Sequence, residues 1–492
     1  MRQPIGEFDR LTRRHFLTSQ SLNLGAVALA GLTATGATSK SVLGDDAIAR
    51  DSLGGIAGLQ TIAPKARRVI YLFQSGGPSQ ADLFDYKPAI KDRFGEDLPE
   101  SVRAGQRLTG FTNGQKRLPV VPTKFKFAQH GASGAWMSEL LPHTAKVVDH
   151  ICFLKAVHSE AINHDPARML IQTGSQLAGR PSMGSWLAYG LGCETQELPA
   201  FLVLNSYGSC KRTPQPVSIR LWGSGFLPSQ YQGVKLQSTG DPILYVSNPG
   251  GIDRSMQRDS VEAIASLNRI NAATYGDPET EARIKQYEMA FRMQASVPEL
   301  LDISGETRAT IDLYGEDSLT RGSYAANCLL ARRMAERGVR FIQLYHVGWD
   351  HHEDVPRDLA LQCQDTDRAD GGTADRPRTA RIARRDPRRL GGEFGRTIFS
   401  QGEPKPGAYG RDHHGRCFTM WMAGGGIKGG MTWGSSDDYS YSVAENGVHV
   451  HDLQATILHL LGIDHTRLTY QFQGREFRLT DVHGEVVGAA LA

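Results

Sequence analysis

No two of the six cysteines stand in a C-x-x-C spacing, so neither a zinc knuckle nor a dithiol redox motif is encoded. They read as small apolar core residues, although export would open an oxidising compartment to them. A charge excess is also missing. The formal net charge is +3 over 492 residues, which removes any whole-chain electrostatic case for nucleic-acid binding. There is no unbroken apolar run of the ~20 residues that a bilayer span requires, and no internal repeat. What remains is ordinary globular composition, 40% hydrophobic and 22% charged, with enough apolar material for a large core.

The N-terminus reads as a targeting segment. Arg13 and Arg14 precede a weakly apolar, Ala/Gly-rich run over residues 22–37, which is the pattern of a twin-arginine export signal; a buried first helix is the other reading. The expectation is a signal over residues 1–40 and a linker over 41–64. The twin-arginine machinery would then deliver a folded chain to a periplasmic or extracellular location, without a stable membrane span.

Beyond the linker, short apolar runs alternate with helical stretches. Residues 68–73, 151–157, 200–205, 339–347 and 418–423 are rich in Val, Ile, Leu and Phe. Such a series predicts an α/β fold: a doubly wound, mostly parallel sheet with helices on both faces, as one domain over residues 65–487. In HDPARMLIQTG, Asp165 is the expected N-cap, with Pro166 at the first helical position. In HVHDLQATILHLLGI, Val450, Leu453, Ile457, Leu460 and Leu461 repeat at helical spacing and Gly462 is a stop. Residues 206–318 are less regular and read as an irregular-to-helical insertion or cap.

Polar clusters follow or flank nearly every expected strand: GGPSQAD with Asp82; HSEAINHD with His158, Asn163 and His164; GWDHH; GGEFGR with Glu393 and Arg396; and GRDHHG with Asp412. In open α/β sheets, ligands bind beyond the carboxyl ends of the strands. Asp350 and His352, two apart in an extended loop, point the same way and can reach one ion. A third ligand from His413 or His414 would complete a His/His/carboxylate set with an open position. The other reading is solvent-facing loop histidines. Arg168 and Arg396 are candidates to hold an oxyanion, or else form ordinary salt bridges. The GG turn could form an anion-binding nest or only a tight turn.

Together, HDPARMLIQTGSQLAGRPSMGSW, GWDHH, GGEFGRT, GRDHHGRCFTMWMAGGGIKGG and HVHDLQATILHLLGI resemble the DUF1501 family of exported bacterial proteins. That family is abundant in planctomycetes and grouped with the sulfatase and alkaline phosphatase superfamily. The resemblance covers residues 67–487. It implies an alkaline phosphatase/sulfatase-like fold and a metal-dependent hydrolase acting on a small-molecule or glycan phosphate or sulfate ester. Where sulfatases carry C-x-P-x-R, this chain has His164, Asp165, Pro166, Ala167 and Arg168. The cysteine is absent, so no formylglycine nucleophile can form there. Gln74 and Ser75 stand where sulfatases have paired aspartates, and Glu393 and Phe394 where they have a late acidic pair.

The resemblance implies one divalent ion (Zn, Mn or Ca) on Asp350, His352 and His414, with His413 and His451 as further candidates. His164 and Glu393, beside Asn163, would do nucleophilic or acid/base work, and Arg168 would orient the anion. The alternative is a non-catalytic exported binding or surface-assembly protein that keeps the fold.

One segment does not fit. Residues 368–390 read RADGGTADRPRTARIARRDPRRL, with eight arginines and only Ile382 and Leu390 as large apolar residues. They show no helix or strand period. Relatives are expected to place a helix and an apolar strand there. Unchanged length with wholly changed chemistry is what two compensating frameshifts in a GC-rich gene would produce. A basic polyanion-binding arm is the functional alternative, and the lack of interleaved aromatics speaks against it.

Overall fold

Runs of β-branched and aromatic residues become strands because their side chains pack on a pleated surface. A computed structural model describes residues 48–210, 216–237, 251, 253–275, 278–374 and 388–492. The export signal at 1–40 and the first part of the linker lie outside the described residues, as does the middle of the arginine-rich segment. The elements that position the site begin with β1 (Val69–Ser75), β2 (Ile151–His158), α1 (His164–Thr173), α2 (Met183–Leu191), β3 (Phe201–Tyr207) and β4 (Val234–Lys235). Next come α3 (Arg254–Tyr275), α4 (Pro278–Leu301), α5 (Tyr324–Glu336), β5 (Phe341–Val347), α6 (Val355–Ala374) and β6 (Arg388–Gly391). The chain continues through β7 (Gly395–Lys405), β8 (Ala408–His414), β9 (Phe418–Ala423), β10 (Met431–Trp433), β11 (Val448–His449) and α7 (Val450–Leu460).

Among the described residues, nine strands form one sheet in the order β10-β2-β9-β6-β1-β5-β3-β4, with β11 beside β2. Only β9 runs against its neighbours; the other pairings in this sheet are parallel. The fold is thus mixed α/β with a central, mostly parallel sheet. Every residue of β1 and β5 is buried, so both faces of the sheet are covered there. Leu72 and Leu344 are register partners in the core, and truncating either to Ala would cost about 2–5 kcal/mol.

Two expectations need correction. Helix α1 starts at His164 with Asn163 as its N-cap, not at Pro166 with Asp165, because Asn163 is the extended residue (φ −122°, ψ 151°). Within the stretch 206–318, β3 runs on to Tyr207 and β4 adds an edge strand beside it. The arginine-rich segment is structured at both ends. Helix α6 continues to Ala374, and β6 places Arg388 and Arg389 between β1 and β9. Backbone partners on both sides impose a strand that the side chains do not favour. All six cysteines are free, and all but Cys193 are buried. Among the described residues, no helix is long and apolar enough to cross a membrane.

Candidate metal centre

The reversed strand β9 shapes the site. Because β9 is antiparallel, the residues that precede it lie at the edge where β1, β5 and β6 end. The β7–β8 hairpin therefore delivers His413 to the loop after β5, which carries Asp350 and His352, and to His164 at the start of α1. Close approach of these loops requires small residues. Gly76 has φ +127°, and a Cβ there would lie 2.5 Å from the Asp350 amide nitrogen. At Gly410 a Cβ would overlap the His352 carbonyl at 1.6 Å.

One ligating atom each from His164, Asp350, His352 and His413 fall within 4.8 Å of one another, a grouping that could hold a metal ion. Asp350 Oδ1 is the hub. It lies 3.1 Å from His164 Nε2, 2.9 Å from His352 Nε2 and 3.3 Å from His413 Nε2. The other ring nitrogens determine what these Nε2 atoms offer. His413 Nδ1–H donates to the Ile162 carbonyl at 3.1 Å, His352 Nδ1–H to Gln401 Oε1 at 2.6 Å, and His164 Nδ1–H to Glu393 Oε1 at 2.8 Å. These partners accept, so each neutral ring keeps its lone pair on Nε2. The Nε2 atoms of His352 and His413 nevertheless face each other at 2.9 Å. Two lone pairs at that separation repel unless a cation lies between them. His164 Nε2 is buried and faces Asp350 Oδ1. The donor set is therefore three imidazoles and one carboxylate, each imidazole oriented by an outer partner as metal-bound histidines usually are.

Burial works to raise the Asp350 pKa, but Arg396 at 2.6 Å and the three imidazoles overcome it and hold the carboxyl far below the usual range. For His164, burial is outweighed by hydrogen bonds to Asp350 and Glu393, which raise its pKa. His413 falls to about 4, chiefly through burial. Glu393 is fully buried, yet its bond to His164 and the nearby Arg168 keep it ionised. It also accepts from the Gly76 amide at 3.1 Å. The GG turn thus holds a carboxylate of the protein itself.

Several expected site residues are placed elsewhere. His414 is not brought to the hub: as the neighbour of His413 on a strand it points to the opposite side, bonds the Tyr441 carbonyl and stacks on that ring. His451 belongs to a separate cluster near α7. Arg168 is buried, donates to the carbonyls of His164 and Pro216, and lies 3.7 Å from Glu393. Asn163 serves as the N-cap position. Asp82 pairs with Arg411, and Asp412 accepts from Thr109 and Thr112. Sequence reasoning missed Gln401 and the Ile162 carbonyl, because no residue pattern marks a partner contributed by a hairpin strand or a backbone oxygen.

A model for the family described as "Protein of unknown function (DUF1501)" matches residues 66–491. The chain belongs to the DUF1501 family. The matched span of this DUF1501 protein includes all four donors and Glu393. No curated protein matches it. Among solved structures, the DUF1501 chain is similar to the PsFucS1 sulfatase from Pseudoalteromonas sp., at 10% identity, 81% coverage of this chain, 68% of that one and a TM-score of 0.31. It is also similar to the alkaline phosphatase of the Antarctic bacterium TAB5, at 10% identity, 81% and 98% coverage and a TM-score of 0.26. At the end of β1, Gln74 turns to Asp370 at 3.2 Å, so in this DUF1501 member that strand adds no carboxylate to the centre.

Proposed function

We propose that this DUF1501 protein is an exported, metal-dependent hydrolase of phosphate or sulfate esters. In this reading it has the doubly wound architecture of the alkaline phosphatase/sulfatase-like class as a single domain, preceded by a twin-arginine signal and a linker. One observation carries the metal assignment: three Nε2 lone pairs, each fixed by an accepting partner on Nδ1, converge with Asp350 Oδ1 on one point. Three imidazoles and one carboxylate suit zinc or a similar transition ion better than calcium, which prefers oxygen ligands. His164, Asp350, His352 and His413 would hold the ion. When bound, it supplies Lewis-acid chemistry, lowering the pKa of water and polarising an ester oxygen.

This reading moves His164 from nucleophile to ligand. Glu393 orients His164, and Gln401 and Ile162 orient His352 and His413. The converging donors are three imidazoles and one carboxylate, and the chemistry assigned here is displacement by water at the ester. Phe394 packs against His164 and His413, with ring centroids 5.0 and 4.7 Å away, and limits water access on that side.

The non-catalytic alternative keeps one supporting observation: Arg396 already neutralises Asp350 at 2.6 Å. The test is metal content with ester hydrolysis, using aryl phosphates and aryl sulfates. Asp350→Ala is expected to lower bound divalent metal by one equivalent per chain and to abolish hydrolysis. Unchanged metal content in that variant would refute the site, and metal binding without turnover of either ester class would favour the alternative.

A further inference from the structure

The loop that carries Phe111 leaves a large apolar ring in water beside the metal centre. Phe111 is 56% exposed, yet its ring centroid lies 4.6 Å from that of His352 and 5.9 Å from that of His413. A single exposed phenylalanine means little by itself, but this one is held in place from several points. Thr109 and Thr112 are buried and donate their hydroxyls to Asp412 Oδ2, while Asp412 Oδ1 accepts from the His413 amide at 2.7 Å. Thr109 Oγ1 in turn accepts from the Phe111 amide at 3.1 Å. Gln115 fixes the far end of the loop. Its Oε1 accepts from the Gly402 amide at 2.7 Å and its Nε2 donates to the Ser400 carbonyl at 3.3 Å, on either side of the Gln401 that orients His352. Ordering a segment costs conformational entropy, and here the ordered segment ends by presenting its ring to solvent.

The exposure of the four donors shows from which side the centre is reached. The His164 and His413 side chains are 6% and 3% exposed, whereas Asp350 and His352 keep 20% and 18%. Phe394 covers His164 and His413 from the other side. A ligand therefore approaches past His352, along the side that Phe111 borders. A phosphate or sulfate group engaged at the centre would project its alcohol part outward over that ring. An aromatic face offers no ordinary hydrogen bond and favours flat partners in offset or edge contact, so it selects for shape and apolarity, not for charge.

We propose that Phe111 is a specificity-determining residue: a stacking platform for the alcohol part of the ester, selecting flat groups with an apolar face, an aryl ring or the C–H face of a pyranose, over short alkyl groups. The proposal rests on the reading of the centre as an ester hydrolase. Phe111 touches no reacting atom in this role. It sets which esters dwell at the centre, and Asp412 and Gln115 position it by holding its loop against the β7–β8 hairpin.

The test uses the untagged full chain loaded with Zn²⁺ and three non-hydrolysable probes, methylphosphonate, phenylphosphonate and a pyranosyl phosphonate, with affinities read by calorimetry. Methylphosphonate reports on the centre alone. Wild type is expected to bind the phenyl probe, the pyranosyl probe or both more tightly than methylphosphonate, by roughly 2–10-fold for one aromatic contact. Phe111→Ala should erase that preference and leave methylphosphonate affinity unchanged, and Phe111→Trp should keep it. Preference for the phenyl probe alone assigns aryl esters, and preference for the pyranosyl probe assigns sugar esters. No preference in wild type, or an unchanged ratio in Phe111→Ala, would overturn the proposal. So would an equal loss of all three probes in Phe111→Ala, which would mean that the ring only supports His352. A Phe111-dependent preference in a protein that hydrolyses neither ester class would support the platform while refuting the hydrolase reading.

Discussion

Replacing Arg389 with Met should make the protein more stable. Arg389 is 1% exposed, in a central strand between Tyr71 of β1 and Met422 of β9. Its Nε and Nη1 are buried without partners, and Nη2 reaches only the Met420 sulfur at 3.5 Å. Burial lowers its pKa, with only the Tyr71 hydroxyl opposing. Its main compensation is the Tyr71 ring, 4.4 Å from the guanidinium carbon. Each unsatisfied buried donor costs about 1–3 kcal/mol, so the pair costs about 2–6, while a desolvated cation–π contact returns about 2 kcal/mol. Replacement by an unbranched apolar side chain should then stabilise by up to about 4 kcal/mol, within the range found when buried charges give way to hydrophobic residues. Urea unfolding followed by tryptophan fluorescence would show a higher midpoint at unchanged slope. Arg389→Lys, which keeps a charge but loses the planar stack, should not stabilise. A midpoint for Arg389→Met at or below wild type would refute the reasoning.

Three other outcomes follow from the geometry. Glu393→Gln leaves a side chain of the same shape but removes the charge that orients His164, so affinity at the metal centre should fall about 10–100-fold, as read by chelator competition. His346 is fully buried and held neutral between Ser206 and Gln362, both at 3.0 Å, and burial lowers its pKa to about 4. The unfolded chain, with a histidine pKa near ~6.5, binds the extra proton between those values. Stability from this group is therefore complete above pH ~6.5 and lost as pH falls toward 4, by roughly 3 kcal/mol. His346→Gln should flatten that part of the denaturation profile, and an unchanged slope would contradict it. Resequencing the gene across residues 368–390 should reveal a second frame with apolar residues at 388 and 389; confirmation of the present frame would remove the frameshift explanation.

Much of the scaffold was legible because burial on both faces leaves continuous apolar runs. FTMWMA is a strand at the boundaries its composition suggests. Asp350 and His352 were legible as a pair, since a two-residue spacing in extended chain needs no tertiary knowledge. The choice between His413 and His414 was not. It depends on the register of the β7–β8 hairpin, which shifts between Arg411 and His413, and a local irregularity of that kind leaves no periodic trace. His164 was found as a site residue, but its role depends on whether Nδ1 or Nε2 is engaged, which only the position of Glu393 decides. Strand β6 was illegible because two arginines contradict its setting, and its neighbours hold it in the sheet.

The reversed strand has a consequence for the order of assembly. His164, the Asp350–His352 loop and His413 come from chain segments joined only when β9 inserts against its neighbours. A chain folded through Glu393 still lacks one of the four donors. An ion that binds only the complete set stabilises the native state alone, by an amount that grows with free-ion concentration. Metal loading at this centre would thus report that the last central strand is in place.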